Sequence, residues 1–493
     1  MKLFKILIIL FTLSIQSFST NINRENTLVI AQEKDPRTFD PHFGNDGFSL
    51  RINRLIYSRL IEKDSNMKNI PGIAKSWNFI NNQKIKFNIF NDIFFQNGEN
   101  LTTKDIKFSF ERMKNSPRIS AILPPIKEIK IIDKYNFIMV LSKPFSPILD
   151  QLTHPALSIV SENYLKENPK ILLTKPMGSG PYKLKYWNPD ESILLEKFHS
   201  NHHSKINYEN IKIYTIPLGT NRTIALETNE VDIAFSLPIQ DEKTINKNKN
   251  LKWLKKPSFS YTYMGINMKS KNMQDIKLRK AIDLAINKEE LLNVVLNGEG
   301  QVANTPVAKG VFGYNSTIKK IPFNLNRSKG MIKHNLNLTL ATMNNGIDIQ
   351  IAELIQGYLK EIGINLKISI LEPNVYWNKT NTGAYDMFIA SWGSVTGDSD
   401  YALYPTHHSN AFGAPGNRTF FSNKKVDILL EKARSTLDKA ERKNIYFKIQ
   451  DIIVKNKSEI MLFYRDLNCG INKKVYNFSL YPIPIHNYSI GNF

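Results

Sequence analysis

The densest grouping of chemically capable residues is Trp392-Gly393-Ser394-Val395-Thr396-Gly397-Asp398-Ser399-Asp400-Tyr401. Two carboxylates beside two aromatic rings on a glycine-loosened loop suit an ammonium group, because a carboxylate pairs with the charge while ring faces exclude water. Amines are common to amino acids and peptides, so ligands of that kind fit Asp398, Asp400, Trp392 and Tyr401. An Asp-Ser-Asp run also suits a turn. It lacks the terminal bidentate glutamate that a calcium loop of the EF-hand type requires. His199, His202 and His203 stand at i, i+3 and i+4, which could present two imidazoles to a metal. Their Asn, Ser and Lys neighbours read instead as a surface loop. His407 and His408 form a second pair, expected as solvated loop histidines.

Gly178-Ser179-Gly180-Pro181-Tyr182 looks at first like a phosphate loop, but Pro181 interrupts it and neither GK[ST] nor GxGxxG spacing follows. A tight turn entering a strand near Tyr182 is the better reading. There is no G-x-S-x-G elbow, no H-E-x-x-H and no cysteine near a histidine. No catalytic residue, metal or cofactor is therefore expected.

These side chains need a frame, and the second half of the chain supplies its clearest pattern. Leu336, Leu338 and Leu340 alternate as in a strand, and Ile351, Leu354, Ile355, Tyr358 and Ile362 then recur at helical spacing. Gly363 sits where a helix C-cap glycine belongs, after which Ile364, Leu366, Ile368 and Ile370 alternate again. This is a β-α-β unit with parallel strands and a right-handed crossover. Met387-Phe388-Ile389-Ala390 adds a buried strand ending at Ser391-Trp392. Ligands in open α/β sheets sit beyond the carboxyl ends of strands, so the loop after Trp392 is well placed. Further helices are marked by Val426, Leu429, Leu430 and Ala433, and by Ile445, Ile449, Ile452 and Ile453 after an Asp438/Glu441 capping pair. Upstream, Ile85, Phe87 and Ile89 alternate, and a short helix is expected from Thr103 to Met113. The class is α/β with several lobes.

The chain has 493 residues and a formal charge of +22. It opens with Lys2 and Lys5, an apolar run from Ile6 to Leu13, and Ser17-Phe18-Ser19. That is the pattern of a secretory signal peptide, residues 1–19, cut after Ser19. The run is too short to span a bilayer, which takes ~20 residues. Cys469 is the single cysteine. It allows no internal disulfide and no cysteine-rich zinc site, and the cleavage region has no cysteine for a lipid anchor. A freely soluble exported protein points to a periplasm. Without the signal the charge is +20, spread among asparagines and isoleucines rather than gathered into blocks. Nucleic acid is not expected as a partner.

Seven motifs in order then resemble a family, the solute-binding proteins of ATP-binding-cassette importers for oligopeptides, dipeptides, nickel and glutathione (extracellular solute-binding protein family 5). They are Asp35-Pro36-Arg37-Thr38-Phe39-Asp40-Pro41, Ile56-Tyr57-Ser58-Arg59-Leu60, Pro71-Gly72-Ile73-Ala74-Lys75-Ser76-Trp77, Phe95-Gln96-Asn97-Gly98 through Asp105-Ile106-Lys107-Phe108-Ser109, Gly178–Tyr182, Glu230-Val231-Asp232-Ile233-Ala234, and Gly265-Ile266-Asn267 with Leu278-Arg279-Lys280-Ala281-Ile282. The resemblance implies a two-lobed periplasmic-binding-protein clam-shell (type II, cluster C) with an additional inserted small domain. Lobe I would take 26–55, 172–262 and 470–493, the inserted domain 56–171 and lobe II 263–469. The hinge would lie near 262–270 and 468–474.

The loop from Trp392 to Leu403, with Phe421-Ser422-Asn423-Lys424-Lys425-Val426-Asp427 after it, is most similar to glutathione-binding members. Dipeptide binders place their amine-binding aspartate where this chain has Val395, so the resemblance moves that role to Asp398 or Asp400. Their carboxylate-binding arginine would fall near Asn344-Asn345-Gly346, where none is present; Arg418 and Arg37 are the candidates in its place. Asn267 is carried with them as a ligand-binding residue. The implied partners are a small peptide-like ligand and an inner-membrane permease with cytoplasmic ATPase subunits, the carrier itself being a monomer. A haem- or nickel-binding member of the family, in which His407 and His408 would matter, and a secreted peptide hydrolase stand as alternatives.

Overall fold

The computed structural model describes residues 24–483 except 45, 117–118, 120–121, 201–206, 333–334 and 477. The expected signal peptide, His202 and His203 lie outside the described residues.

An eleven-stranded mixed sheet runs through the molecule. One end is the β-α-β unit anticipated from the apolar spacing. Strands Leu336–Met343 and Ile364–Leu371 pair in parallel from Leu336↔Ile364 to Met343↔Leu371. The helix Gly346–Lys360 between them buries Ile351, Ala352, Ile355 and Leu359 against the sheet. Ile351, Ile355 and Leu359 each contribute about 1.5–3 kcal/mol when fully enclosed. Asn345 caps the helix by accepting from the Asp348 amide at 3.0 Å, and Gly363 turns the chain with φ +79°. Met387–Gly393 adds a parallel neighbour on the inner side. At the other end, Thr27–Gln32 is buried at every position, as a strand covered on both faces must be. It lies parallel to Asn210–Thr215 and to Ile233–Phe235.

Two long antiparallel strands, Leu251–Ile266 and Glu459–Asn472, join these ends. Their pairing runs regularly from Leu251↔Asn472 to Pro257↔Asp466, then resumes only at Tyr261↔Tyr464. Four steps on one strand face two on the other. Pro257 has no N–H to give the ladder, which favours an irregularity at this point. A second register shift follows between Thr262 and Tyr263, so the ladder is irregular from 257 to 263 opposite 461–466.

A separate four-stranded antiparallel sheet is built from Ala74–Asn81, Lys84–Ile89, Asn136–Leu141 and Ile126–Ile131. The helix Thr103–Lys114 buries Ile106, Phe110 and Met113 and opens with a capping box between Thr102 and Asp105. Gln96 fastens this unit to the large sheet, donating to the carbonyls of Ile56 (3.1 Å) and Tyr182 (2.7 Å) while accepting from the Gly178 amide (3.1 Å). No helix among the described residues is long and apolar enough to cross a membrane.

Candidate functional site

The loop after Trp392 is a compact turn. The Ser394 amide donates to the Phe259 carbonyl at 2.9 Å, and the Ser394 hydroxyl donates to the Asp398 carbonyl at 2.7 Å. Gly397 takes φ +77°, a conformation that favours glycine. Asp398 is then the N-cap of the helix Ser399–His407, accepting from the Asp400 amide at 2.9 Å.

Both loop carboxylates are already engaged. Asp398 receives Arg442 Nη2 at 2.7 Å and the Tyr446 hydroxyl at 3.3 Å. Asp400 receives Arg434 through Nε at 2.7 Å and Nη2 at 3.0 Å. Each aspartate is only 2 % exposed. Burial pushes the Asp398 carboxyl up to about 6, against the opposing pull of Arg442. The amine-binding role expected of Asp398 and Asp400 is thus corrected: a buried carboxylate held by an internal guanidinium has little capacity left for a ligand ammonium. The signal was present in the sequence, since an aspartate before Tyr401-Ala402-Leu403 reads as a helix N-cap. Arg442, in register with Ile445 and Ile449 on an apolar stripe, demanded a buried partner.

Trp392 is half-buried, stacks on Tyr401 at 5.9 Å and donates from Nε1 to the Tyr401 carbonyl at 3.1 Å. Tyr401 itself is buried in the core beneath the small sheet and meets His154 through its hydroxyl. It serves chiefly as the support of Trp392, which also packs against both neighbouring cores. Asn267, expected at the site, is 3 % exposed and spends its amide on the carbonyls of Gly383 (2.9 Å) and Tyr385 (2.8 Å). It is a structural residue.

The two candidate arginines differ. Arg37 is exposed and reaches Asn374 Oδ1 at 3.5 Å, linking the segment after Thr27–Gln32 to the helix Pro373–Thr382. Arg418 lies over the Trp377 ring at 4.4 Å, with Nε on Asn381 Oδ1 at 2.9 Å and no carboxylate partner among the described residues. Burial lowers its basicity. Asn374, Trp377 and Asn381 are spaced i, i+3 and i+7, so one helix face carries the contacts of both arginines.

A third arginine went unnoticed in the sequence. Arg465 follows the apolar run Ile460-Met461-Leu462-Phe463-Tyr464 on a joining strand. Its Nε and Nη2 are enclosed and have no hydrogen-bond partner among the described residues. A cation ending such a run was the available clue.

His407 and His408, expected as solvated, are buried instead. His407 is 1 % exposed and bonded to Glu459 at 3.1 Å; His408 is 2 % exposed, stacked on Tyr404 at 4.4 Å. His199 is exposed and sits 3.3 Å from Glu209. No group of three or more His, Cys, Asp or Glu among the described residues is arranged to hold a metal ion.

Comparison with known proteins accounts for this architecture. The chain is 26% identical over 476 residues to the probable D,D-dipeptide-binding periplasmic protein DdpA of Escherichia coli K12, covering 93% of this chain and 92% of that one. It is also 26% identical over 475 residues to the glutathione-binding protein GsiB of Salmonella choleraesuis, with 92% of each covered. The ABC transporter-associated periplasmic binding protein DppA from Helicobacter pylori, solved with the peptide STSA, superposes with a TM-score of 0.87 and 27% identity over 94% of this chain and 97% of that one. The model of the family described as bacterial extracellular solute-binding proteins, family 5 Middle, matches residues 68–414. The mixed α/β fold, with its joined halves and separate small sheet, is that of periplasmic binding proteins. The chain belongs to the bacterial extracellular solute-binding proteins of family 5.

Proposed function

We propose that this protein is the periplasmic component of an ATP-binding-cassette importer. It captures a short peptide-like ligand, glutathione or a di- or oligopeptide, and delivers it to an inner-membrane permease driven by cytoplasmic ATPase subunits. The observation that carries the reading is the pair of strands Leu251–Ile266 and Glu459–Asn472, each entering both halves of the sheet, with a broken register at the passage. Such a pair lets two lobes close on a ligand while staying covalently joined, and hinges commonly absorb their dihedral change at a few irregular residues. The lobes divide along the boundaries the sequence suggests, with the border drawn at 257–263 and 461–466, and 56–171 forms the inserted domain. The similarity to DdpA, a probable D,D-dipeptide-binding protein, to the glutathione-binding GsiB and to the Helicobacter pylori protein solved with a peptide favours a ligand with an amine and at least one carboxylate. No bond is broken; capture and release are the whole cycle.

Solution scattering tests this. Glutathione or a mixed peptide pool should contract the protein, and nickel or haem should not. Contraction with nickel or haem and none with peptides would make it a different kind of carrier.

A further inference from the structure

The strand Glu459–Asn472 carries one guanidinium that stands over the Phe463 ring at 5.7 Å and whose enclosed nitrogens the fold leaves without acceptors among the described residues. Arg465 has five N–H donors, and neither its enclosed Nε nor its enclosed Nη2 meets an acceptor among the described residues. Two acids reach it with their charge from a distance, Asp348 and Glu33. Asp348 is held by its own neighbour, accepting from Asn345 Nδ2 at 2.8 Å, and Asp466, next in sequence, faces Lys255 at 3.9 Å.

The position of these acids locates the guanidinium. Glu33 follows the carboxyl end of Thr27–Gln32 in one half of the sheet. Asp348 stands in the first turn of Gly346–Lys360, beyond the carboxyl end of Leu336–Met343 in the other half. Arg465 thus stands on the joining strand, within the field of both halves and at the carboxyl-end side where open α/β sheets take their ligands. It also lines a cavity of about 400 Å³, where Lys256 and Lys309 outnumber the single acid, Asp466. That volume lies within the ~300–1,000 Å³ range of small-molecule sites.

We infer that Arg465 is the residue that receives the carboxylate of the captured ligand, at the strand about which the lobes close. The inference rests on the peptide-like reading proposed above. A planar guanidinium matches the two oxygens of a carboxylate, and an enclosed cation that no carboxylate contacts gains from an incoming anion. Placing the anchor on the joining strand ties carboxylate recognition to closure itself.

The test uses Arg465→Met, which keeps the length of the side chain, with calorimetry on the tetrapeptide Ser-Thr-Ser-Ala as free acid and as C-terminal amide. Wild type should bind the free acid about tenfold or more tightly than the amide. Arg465→Met should erase that difference while holding the amide within about twofold of wild type, and Arg465→Lys should restore part of it. A Met variant that keeps the full free-acid preference overturns the assignment. If wild type binds neither peptide, thermal denaturation judges Arg465 alone, and the peptide-like reading fails only where glutathione is refused as well. An arginine kept for an anion predicts a Met variant melting at or above wild type, and a fall of several degrees would make Arg465 structural and overturn the proposal.

Discussion

The hydroxyl of Tyr401 and the Nε2 of His154 meet at 3.1 Å although 247 residues separate them. His154 Nδ1 accepts from the Ala156 amide at 3.1 Å, so the neutral ring carries its proton on Nε2 and donates it to the tyrosine oxygen. Trp392 stacks on that same tyrosine. The loop that presents Trp392 is thereby fastened to the core beneath the small sheet. The Ser146 amide adds a second fastening on the Arg434 carbonyl at 2.6 Å.

This pairing makes stability depend on pH. Burial, aided by the nearby charge of Arg59, pushes His154 down to about 3; burial and Arg112 push His42 down to about 4. Both folded values lie below the ordinary 6.5, so on acidification the unfolded chain takes up protons first. Stability from these groups is full above pH 6.5 and falls toward the folded values, by about 1.4 kcal/mol per pH unit for each histidine. Asp398, raised toward 6, acts in the opposite sense. Urea denaturation at pH 7, 6 and 5 should show a shallower acid loss in His154→Gln than in wild type. Equal losses would place the His154 proton elsewhere.

Asp398→Ala should cost about 3–5 kcal/mol of folding stability, because it strands the buried Arg442. Asp400→Ala, which strands Arg434, should cost a comparable amount. Denaturant melts measure this. Reduced peptide affinity with unchanged stability would return the aspartates to the ligand.

Much of the frame was legible because its signals are local. The alternation at Leu336–Leu340, the 3.6-residue spacing through Ile362 and the Gly363 cap each act within a few residues, and the β-α-β unit follows from them. The turn at Gly178–Tyr182 and the helix after Thr102 were readable for the same reason. The site was less legible because its decisive facts are long-range. Asp398 shows a carboxylate in a glycine-rich loop, yet what determines its role is Arg442, two helices later. His407 resembles a loop histidine until Glu459 is brought to 3.1 Å. Arg465 differs from the many surface cations only by its enclosure.

Gly180→Ala should destabilise by about 3 kcal/mol, the upper part of the usual overpacking range. A Cβ there would stand 2.5 Å from the Ile56 carbonyl carbon and 2.5 Å from the Leu55 oxygen, both backbone atoms that cannot yield. A melting temperature unchanged from wild type would show that the helix end Gly47–Ile56 can shift.

The arginines separate by ligand specificity. Arg418→Met should leave the preference for a free carboxylate intact, since Trp377 and Asn381 already occupy its guanidinium. Trp392→Ala should weaken acid and amide alike by removing a packing surface, on the order of 1–2 kcal/mol. Calorimetry with both peptide forms distinguishes the two patterns, and loss of the acid preference in Arg418→Met would move the carboxylate contact to Arg418.

Native mass spectrometry of freshly purified protein addresses the central claim most directly. The account predicts a stoichiometric adduct that, once released, fragments at amide bonds and carries a free amine and a free carboxylate. An adduct of haem or nickel, or a protein that stays unliganded when offered glutathione and a mixed peptide pool, would contradict it.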